Sequence, residues 1–159
     1  MSTTGFDDLQ DLYQEVILEH SNKPRNFRVL ECATHSARGN NPLCGDRVTV
    51  YFTVENGVIK EAAFQGSGCA ISKASSSLMT TVLTGKTVEQ AKKMFDGFHD
   101  LVTTGKSGDD DLGKLAVFGG VHKYPARVKC AILSWHAVLS ALEGKGEIVS
   151  TEGDNPSPV

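Results

Sequence analysis

The stretch from Arg47 to Cys69, RVTVYFTVENGVIKEAAFQGSGC, is the part of the sequence that decides the fold. Two runs rich in β-branched and aromatic residues, Arg47 to Val54 and Val58 to Gln65, lie on either side of Glu55-Asn56-Gly57. Asn-Gly between two such runs is typical of a tight turn, because both residues tolerate positive φ angles. The sequence therefore predicts an antiparallel hairpin.

The residues that follow the hairpin predict a cysteine at a strand-to-helix turn. Gly66-Ser67-Gly68 precedes Cys69, and a helical pattern then runs from Ala70 to Leu83 and stops at Gly85. The first turn of a helix presents unpaired N–H groups and the positive end of the helix dipole, both of which favour a thiolate. Cys69 is therefore expected in a reactive setting.

Helical patterns also flank this unit. Apolar residues at three- and four-residue steps from Phe6 to Ile17 predict a first helix that ends before Asn22. Thr87 and Gln90 match a capping box, which opens a helix to about His99. A polar excursion then leads to a short helix from Asp111 through Phe118, stopped by two glycines. Pro125 suits a first helical position, and a largely buried helix is expected over Ala126 to Leu142.

Weak alternation from Thr34 to Arg38 predicts an edge strand beside the hairpin. The expected fold class is therefore α+β, a small antiparallel sheet made of the hairpin and the edge strand and packed against several helices. A chain of 159 residues suits one domain, placed at residues 1–147. Residues 148–159 are expected to form a disordered tail, since they carry too little apolar surface to order themselves.

Composition narrows the classes of function. The net charge is -3, which disfavours nucleic acid and anionic membranes as partners because both are bound through surplus Lys and Arg. No apolar run is long enough to cross a bilayer, and the N-terminus lacks the features of a signal peptide, so a cytoplasmic location is expected. In that reducing compartment the four cysteines are interpreted as thiols with metal or redox roles.

The spacing of the cysteines is weak support for a metal site, since no C-x-x-C pair occurs and a free cysteine often serves as a small buried hydrophobe. The residues around individual cysteines strengthen the case for a metal site. Gly45 allows a tight turn in which Cys44 and Asp46 can converge on one ion. Cys130 lies beside Arg127 and Lys129, which could lower its pKa, although a structural cysteine fits there equally well.

Three motifs, NPLCGD (41–46), GSGCAISKASSS (66–77) and PARVKCAILSW (125–135), together resemble the NifU-like, or IscU/SufU, family of iron-sulfur cluster assembly. The resemblance spans most of the chain and implies a SufE/NifU-like fold. Within the family the chain is similar to the SufU-type branch, because Lys129 replaces the His that precedes the third cysteine in cluster scaffolds. An insertion between the second and third cysteines, here Asp100 to Phe118, is also implied by that branch.

The resemblance implies a metal site of Cys44, Asp46, Cys69 and Cys130. Three thiolates and one carboxylate suit tetrahedral Zn²⁺, while iron or a [2Fe-2S] cluster is the alternative. It further implies a sulfurtransferase in which Cys44 accepts persulfide sulfur from a pyridoxal-phosphate cysteine desulfurase of the SufS type and passes it to a downstream scaffold. Arg127 is a candidate contact to the desulfurase or to the Cys44 thiolate.

Two other functions stay open at this stage. The chain could itself be a scaffold for iron and a nascent [2Fe-2S] cluster, or a structural zinc module that binds partners. Cys32 falls outside the motifs and is interpreted as a bystander. The five histidines lack ligand spacing and are interpreted as surface or capping residues.

Overall fold

The computed structural model describes residues 15–42, 45–106, 110–143 and 148–150. Its elements, in chain order, are helix α1 (15–22), strands β1 (His35–Asn41), β2 (Asp46–Glu55) and β3 (Val58–Ser67), helices α2 (Ala70–Leu83) and α3 (Val88–Thr104), a 3-10 helix (Asp110–Lys123), helix α4 (Pro125–Leu142) and strand β4 (Ile148–Ser150). None of the helices within these ranges has the length and apolar character needed to cross a membrane.

The four strands form one sheet in the order β3-β2-β1-β4. Strand β2 pairs antiparallel with both β1 and β3, so the end of β1, the start of β2 and the end of β3 lie together. The register places Asn41 opposite Asp46, and Arg47 opposite Ser67. We call this the Asp46 end of the sheet. Strand β4 runs parallel to β1, with Ser150 opposite Asn40, and so it also ends there.

The predicted hairpin and the α+β class are confirmed by β2, β3 and the helices packed on the sheet. Two details differ. Strand β1 continues to Asn41, and β4 covers its outer side, so β1 is an internal strand and not the predicted edge. The boundary of the expected tail also moves, because Ile148–Ser150 pair with the backbone groups that β1 would otherwise leave unpaired. Residues 151–159 lie outside the described part of the chain.

Helix α3 shows the predicted capping box, in which Thr87 Oγ1 accepts from the Gln90 N–H at 3.1 Å and Gln90 Oε1 accepts from the Thr87 N–H at 2.9 Å. The helix runs past His99 because Leu101 and Val102 continue its buried stripe. It ends at Gly105, whose φ of 86° belongs to the left-handed region that glycine adopts without strain.

The insertion before α4 is longer and tighter than the short helix expected from Asp111 to Phe118. Its buried apolar residues recur every third position, a period that matches the three residues per turn of a 3-10 helix. This periodicity explains why the glycines at 119 and 120 do not end the helix. The residues concerned are Leu112, Leu115, Phe118 and Val121.

The core lies between one face of the sheet and the helices. Alternate residues of β2, namely Val48, Val50 and Phe52, point into it, as the period of two in a half-buried strand requires. Trp135 of α4 is fully buried and stacks on Phe98 of α3 with ring centroids 4.9 Å apart. This packing holds α4 across the sheet and brings its first turns to the Asp46 end.

Candidate metal centre

Asp46 is the first residue of β2 and is 1% exposed. Its side chain points to the core face, two positions before Val48 on the same side of the strand. The preceding turn closes with a hydrogen bond from the Gly45 N–H to the Asn41 carbonyl at 2.8 Å, and Gly45 has a φ of 74°. The turn thus points a carboxylate inward at the end of the sheet.

Cys69 is the N-cap residue of α2, with φ and ψ of -74° and 169°. Its N–H donates to Asp46 Oδ1 at 3.0 Å, and its Sγ lies 3.8 Å from Asp46 Oδ2. Its Sγ also accepts the Ser72 N–H at 3.5 Å, as a capping side chain does. The predicted strand-to-helix turn is therefore present, and it sets the thiol against the carboxylate.

Cys130 lies in the second turn of α4 and is 1% exposed. A hydrogen bond from Ser75 Oγ of α2 to the Ala131 carbonyl, 2.6 Å long and buried, joins the two helices next to this cysteine. The bond links the helix that begins after Cys69 to the residue that follows Cys130. It therefore restricts how far the two thiols can separate.

The structure brings together three of the four predicted ligands. The donor atoms of Asp46, Cys69 and Cys130 all lie within 4.8 Å of one another. Cys44 lies outside the described residues, and in the sequence it is two positions before Asp46. Its membership of the site stays a prediction.

The donor set fits a zinc ion on chemical grounds. Around a tetrahedral zinc with bonds of about 2.0–2.3 Å, neighbouring ligand atoms lie about 3.3–3.8 Å apart. The 3.8 Å between Cys69 Sγ and Asp46 Oδ2 is in that range. Two thiols and one carboxylate leave a fourth position to be filled, and Cys44 is the cysteine nearest in sequence.

Hydrogen bonding lowers the pKa of Cys69 to about 6, first through the Cys130 side chain and then through the Ser72 N–H. Burial and the Asp46 carboxylate act in the opposite direction. The ordinary pKa of a cysteine lies well above neutrality. The lowered pKa favours the thiolate of Cys69, which is the form that binds metals.

Arg127 lies in the first turn of α4, and its exposed side chain faces both thiols. The charge of Cys69 raises the pKa of Arg127, burial opposes this, and Cys130 adds to the increase through its charge and a hydrogen bond. The guanidinium thus lies beside the thiol centre, at the side that solvent reaches. Its predicted contact with a partner or with Cys44 is not tested by this placement.

Gly68 and Ser75 contribute to the centre in ways that sequence analysis missed. A Cβ at Gly68 would lie 2.5 Å from Asp46 Oδ1 and 2.9 Å from Asp46 Cγ, so only glycine leaves room for the carboxylate. Ser75 supplies the bond between α2 and α4. The available signal was the serine run from 75 to 77, which is unusual in the buried middle of a helix.

The remaining candidates lie elsewhere. Cys32 is exposed and precedes β1, at the opposite end of the sheet from Asp46. The interpretation of the histidines as surface residues is wrong for His20, which is 4% exposed. Its Nδ1 lies 2.7 Å from Ser77 Oγ, which also accepts the Arg25 N–H at 2.8 Å. The contact between His20 and Ser77 thus links α1 to α2.

The chain is similar to known proteins over most of its length. Residues 12–131 match the NifU-like N terminal domain. The chain belongs to this family. The zinc-dependent sulfurtransferase SufU of Bacillus subtilis is 43% identical over 133 residues, which cover 82% of this chain and 89% of that protein. The resemblance to the IscU/SufU family is thereby confirmed.

Two further relatives show the breadth of the family. The iron-sulfur cluster assembly scaffold protein IscU of Thermotoga maritima is 36% identical over 132 residues, 83% of this chain and 93% of that protein. The crystal structure of a nitrogen-fixing NifU-like protein (N-terminal) from Brucella abortus superposes with a TM-score of 0.78 at 25% identity. The superposition covers 86% of this chain and 96% of the Brucella abortus chain.

Proposed function

We propose that this protein acts in iron-sulfur cluster assembly as a zinc-dependent sulfurtransferase, in which Cys44 accepts sulfur from a pyridoxal-phosphate cysteine desulfurase of the SufS type. Sulfur then passes to a downstream scaffold. The observation that carries the proposal is the convergence of the donor atoms of Asp46, Cys69 and Cys130 within 4.8 Å. Cys44 precedes Asp46 by two positions in the sequence. The similarity to a relative named as a zinc-dependent sulfurtransferase supports the same function.

The positions of the cysteines suggest that one accepts sulfur and the others bind the metal. Cys130 is buried, and Cys69 is half-buried with its thiol engaged by the Ser72 N–H. Both are held on helices whose separation the Ser75 bond restricts. In the sequence Cys44 instead falls in the short connection between β1 and β2, and residues of surface connections can approach a partner more readily than helix residues in the core. Cys44 is therefore the proposed acceptor, and the other three residues are proposed to remain as ligands.

The chemistry is an exchange between a thiolate and a disulfide-like bond. The Cys44 thiolate attacks the outer sulfur of the desulfurase persulfide, the sulfur-sulfur bond of that persulfide breaks, and the desulfurase cysteine leaves as a thiolate. Cys44 then carries the persulfide, and no external oxidant or reductant is needed. When bound, zinc supplies a deprotonated thiolate and protects it from oxidation. Arg127, beside the thiols, is proposed to stabilise negative charge as the persulfide arrives.

The test compares Cys44→Ala with Cys32→Ala, since both remove one cysteine and Cys32 lies at the far end of the sheet. Each variant is mixed with a SufS-type desulfurase and L-cysteine. Alanine production is measured, and persulfide on each cysteine is located by mass spectrometry. We expect Cys44→Ala to abolish stimulation and retain most bound zinc, and Cys32→Ala to behave as the unaltered protein. Full stimulation by Cys44→Ala would contradict the proposed role.

A scaffold function is the second candidate, because a relative similar over 83% of this chain is named as a cluster assembly scaffold. The same thiols would then hold iron or a [2Fe-2S] cluster, with Lys129 where cluster scaffolds have a histidine. Anaerobic reconstitution with iron and sulfide separates the two functions. Stable visible absorption, lost on transfer to an apo-ferredoxin, would favour the scaffold. If zinc removal instead unfolds the protein without any specific loss of sulfur transfer, a structural zinc module is favoured.

A further inference from the structure

Helix α4 begins without a side-chain cap of its own. Its N-cap residue is Tyr124, whose side chain makes no capping hydrogen bond, and Pro125 follows at the first helical position. The Tyr124 carbonyl accepts from the Arg127 N–H at 2.8 Å, so the first turn of α4 starts directly on Tyr124. The position in which the preceding 3-10 helix leaves Tyr124 therefore determines where Arg127 lies.

The chain between the 3-10 helix and the thiols has few buried contacts. Every residue from 123 to 127 is exposed, and the next buried residue is Cys130. The buried stripe of the 3-10 helix ends at Val121. His122, which is partly buried, is thus the last residue packed against the protein before the exposed stretch that carries Arg127.

His122 packs against the end of α3. A Cβ at Gly105 would lie 2.7 Å from both Cε1 and Nδ1 of the His122 ring and 3.1 Å from Nε2, so the ring fills the space that a side chain would need. Gly105 ends α3 with its left-handed φ. The imidazole therefore lies directly on the backbone at the C-terminus of α3.

A hydrogen bond sets the orientation of this ring. His122 Nδ1 lies 2.7 Å from the Gly119 carbonyl oxygen. A carbonyl oxygen only accepts hydrogen bonds, so Nδ1 carries a proton and donates it to this bond. Gly119 also packs on α3, since a Cβ there would lie 3.4 Å from Leu101 Cδ1 and 3.6 Å from the Gly105 carbonyl oxygen. The last turn of the 3-10 helix thus contacts α3 at two positions.

We propose that His122 is a positioning residue, which holds the end of the 3-10 helix on α3 and thereby keeps the Arg127 guanidinium beside the thiols of the metal centre. His122 acts through the start of α4. The role of Arg127 in sulfur transfer belongs to the proposed function, whereas the position of its charge is measured independently of any sulfur transfer.

The experiment measures the positive charge beside Cys69 with two alkylating reagents. In the full-length, reduced, zinc-free protein, labelling of Cys69 by anionic iodoacetate and by neutral iodoacetamide is followed by peptide mass spectrometry. Both reagents attack the thiolate, so the ratio of the two rates cancels changes in the thiolate fraction. A unit charge about 6 Å away in water changes the local concentration of an anion roughly threefold. The exposed Cys32, at the opposite end of the sheet, is the internal reference.

Gly105→Ala displaces the ring without altering His122 itself, because the added Cβ takes the space of the imidazole. Gly113→Ala is the matched control, since Gly113 also has a left-handed φ, of 56°, and a Cβ there meets nothing within 4 Å. We expect Gly105→Ala to lower the iodoacetate to iodoacetamide ratio at Cys69 about two- to threefold. Gly113→Ala should keep the ratio of the unaltered protein.

His122→Ala removes the ring and its hydrogen bond, and it should lower the ratio as much as Arg127→Gln, which removes the charge. His122→Asn keeps an N–H donor for the Gly119 carbonyl and should give an intermediate ratio. The double variant His122→Ala/Arg127→Gln should show no further fall beyond Arg127→Gln alone. Gly105→Ala supplies the same comparison if His122→Ala does not fold.

The proposal is overturned if Gly105→Ala keeps the ratio of the unaltered protein, or if Arg127→Gln does so. A further fall in the double variant also contradicts it, because His122 would then act on Cys69 by a route other than Arg127. A lowered ratio together with normal desulfurase stimulation would instead contradict the role of Arg127 in sulfur transfer and support its positioning by His122.

Discussion

Gly68→Ala is expected to disrupt the metal centre without touching a ligand. The added Cβ would lie 2.5 Å from Asp46 Oδ1, 2.9 Å from Cγ and 3.2 Å from Cβ, all on the buried face of the sheet. The carboxylate must therefore move. Its movement breaks the 3.0 Å hydrogen bond from the Cys69 N–H and alters the 3.8 Å separation between Cys69 Sγ and Oδ2.

The magnitude follows from the lost hydrogen bond. A backbone N–H that donates to a carboxylate contributes about 1.5–3 kcal/mol, and we expect the free energy of unfolding to fall by about that amount. Zinc affinity depends on the same carboxylate position. A loss of about 2 kcal/mol in binding corresponds to a roughly 30-fold weaker affinity, since 1.4 kcal/mol is a factor of ten.

Two assays check this prediction. Urea unfolding of the zinc-free protein is followed by the fluorescence of Trp135, the single tryptophan, which is fully buried against Phe98. Zinc affinity is measured by competition with a chromophoric chelator. Gly120→Ala is the matched control, because a Cβ there meets nothing within 4 Å. The reasoning is refuted if Gly68→Ala matches Gly120→Ala in both stability and zinc affinity.

Three further outcomes are expected. Thr87→Ala should lower the free energy of unfolding by about 1 kcal/mol in urea titrations, because it removes the N-cap of α3; Thr87→Ser should restore most of it. Burial, aided by the charge of His99, lowers the pKa of His136, so the folded protein binds this proton less readily than the unfolded chain. The free energy of unfolding should therefore keep its full value above the ordinary pKa of 6.5 and fall as the pH decreases below it. His136→Gln should show a smaller fall in the urea midpoint over the same pH range. Ser75→Ala should lower the free energy of unfolding by about 1 kcal/mol and also weaken zinc binding, because it removes the hydrogen bond from Ser75 to α4. Unchanged zinc affinity in the chelator competition would show that this hydrogen bond does not position Cys69.

Local chemistry in the sequence was enough to predict much of the fold. Asn56-Gly57 between two β-branched runs indicated the hairpin, and both residues have positive φ. Thr87 with Gln90 indicated the start of α3, and Pro125 the start of α4. Each of these signals acts within four residues along the chain, so it does not depend on what packs around it.

The sequence by itself also determined which residue types could bind a metal. Each of the motifs around Cys69 and Cys130 is a short uninterrupted stretch, so it can be recognised without the fold. What only the tertiary structure decided is their distance. Cys69 and Cys130 are 61 positions apart, and it is the packing of α4 on the sheet and the Ser75 bond that bring their thiols to the Asp46 carboxylate. The parallel pairing of β4 was equally inaccessible, because three residues carry little local preference and their direction is set by the return of the chain from α4.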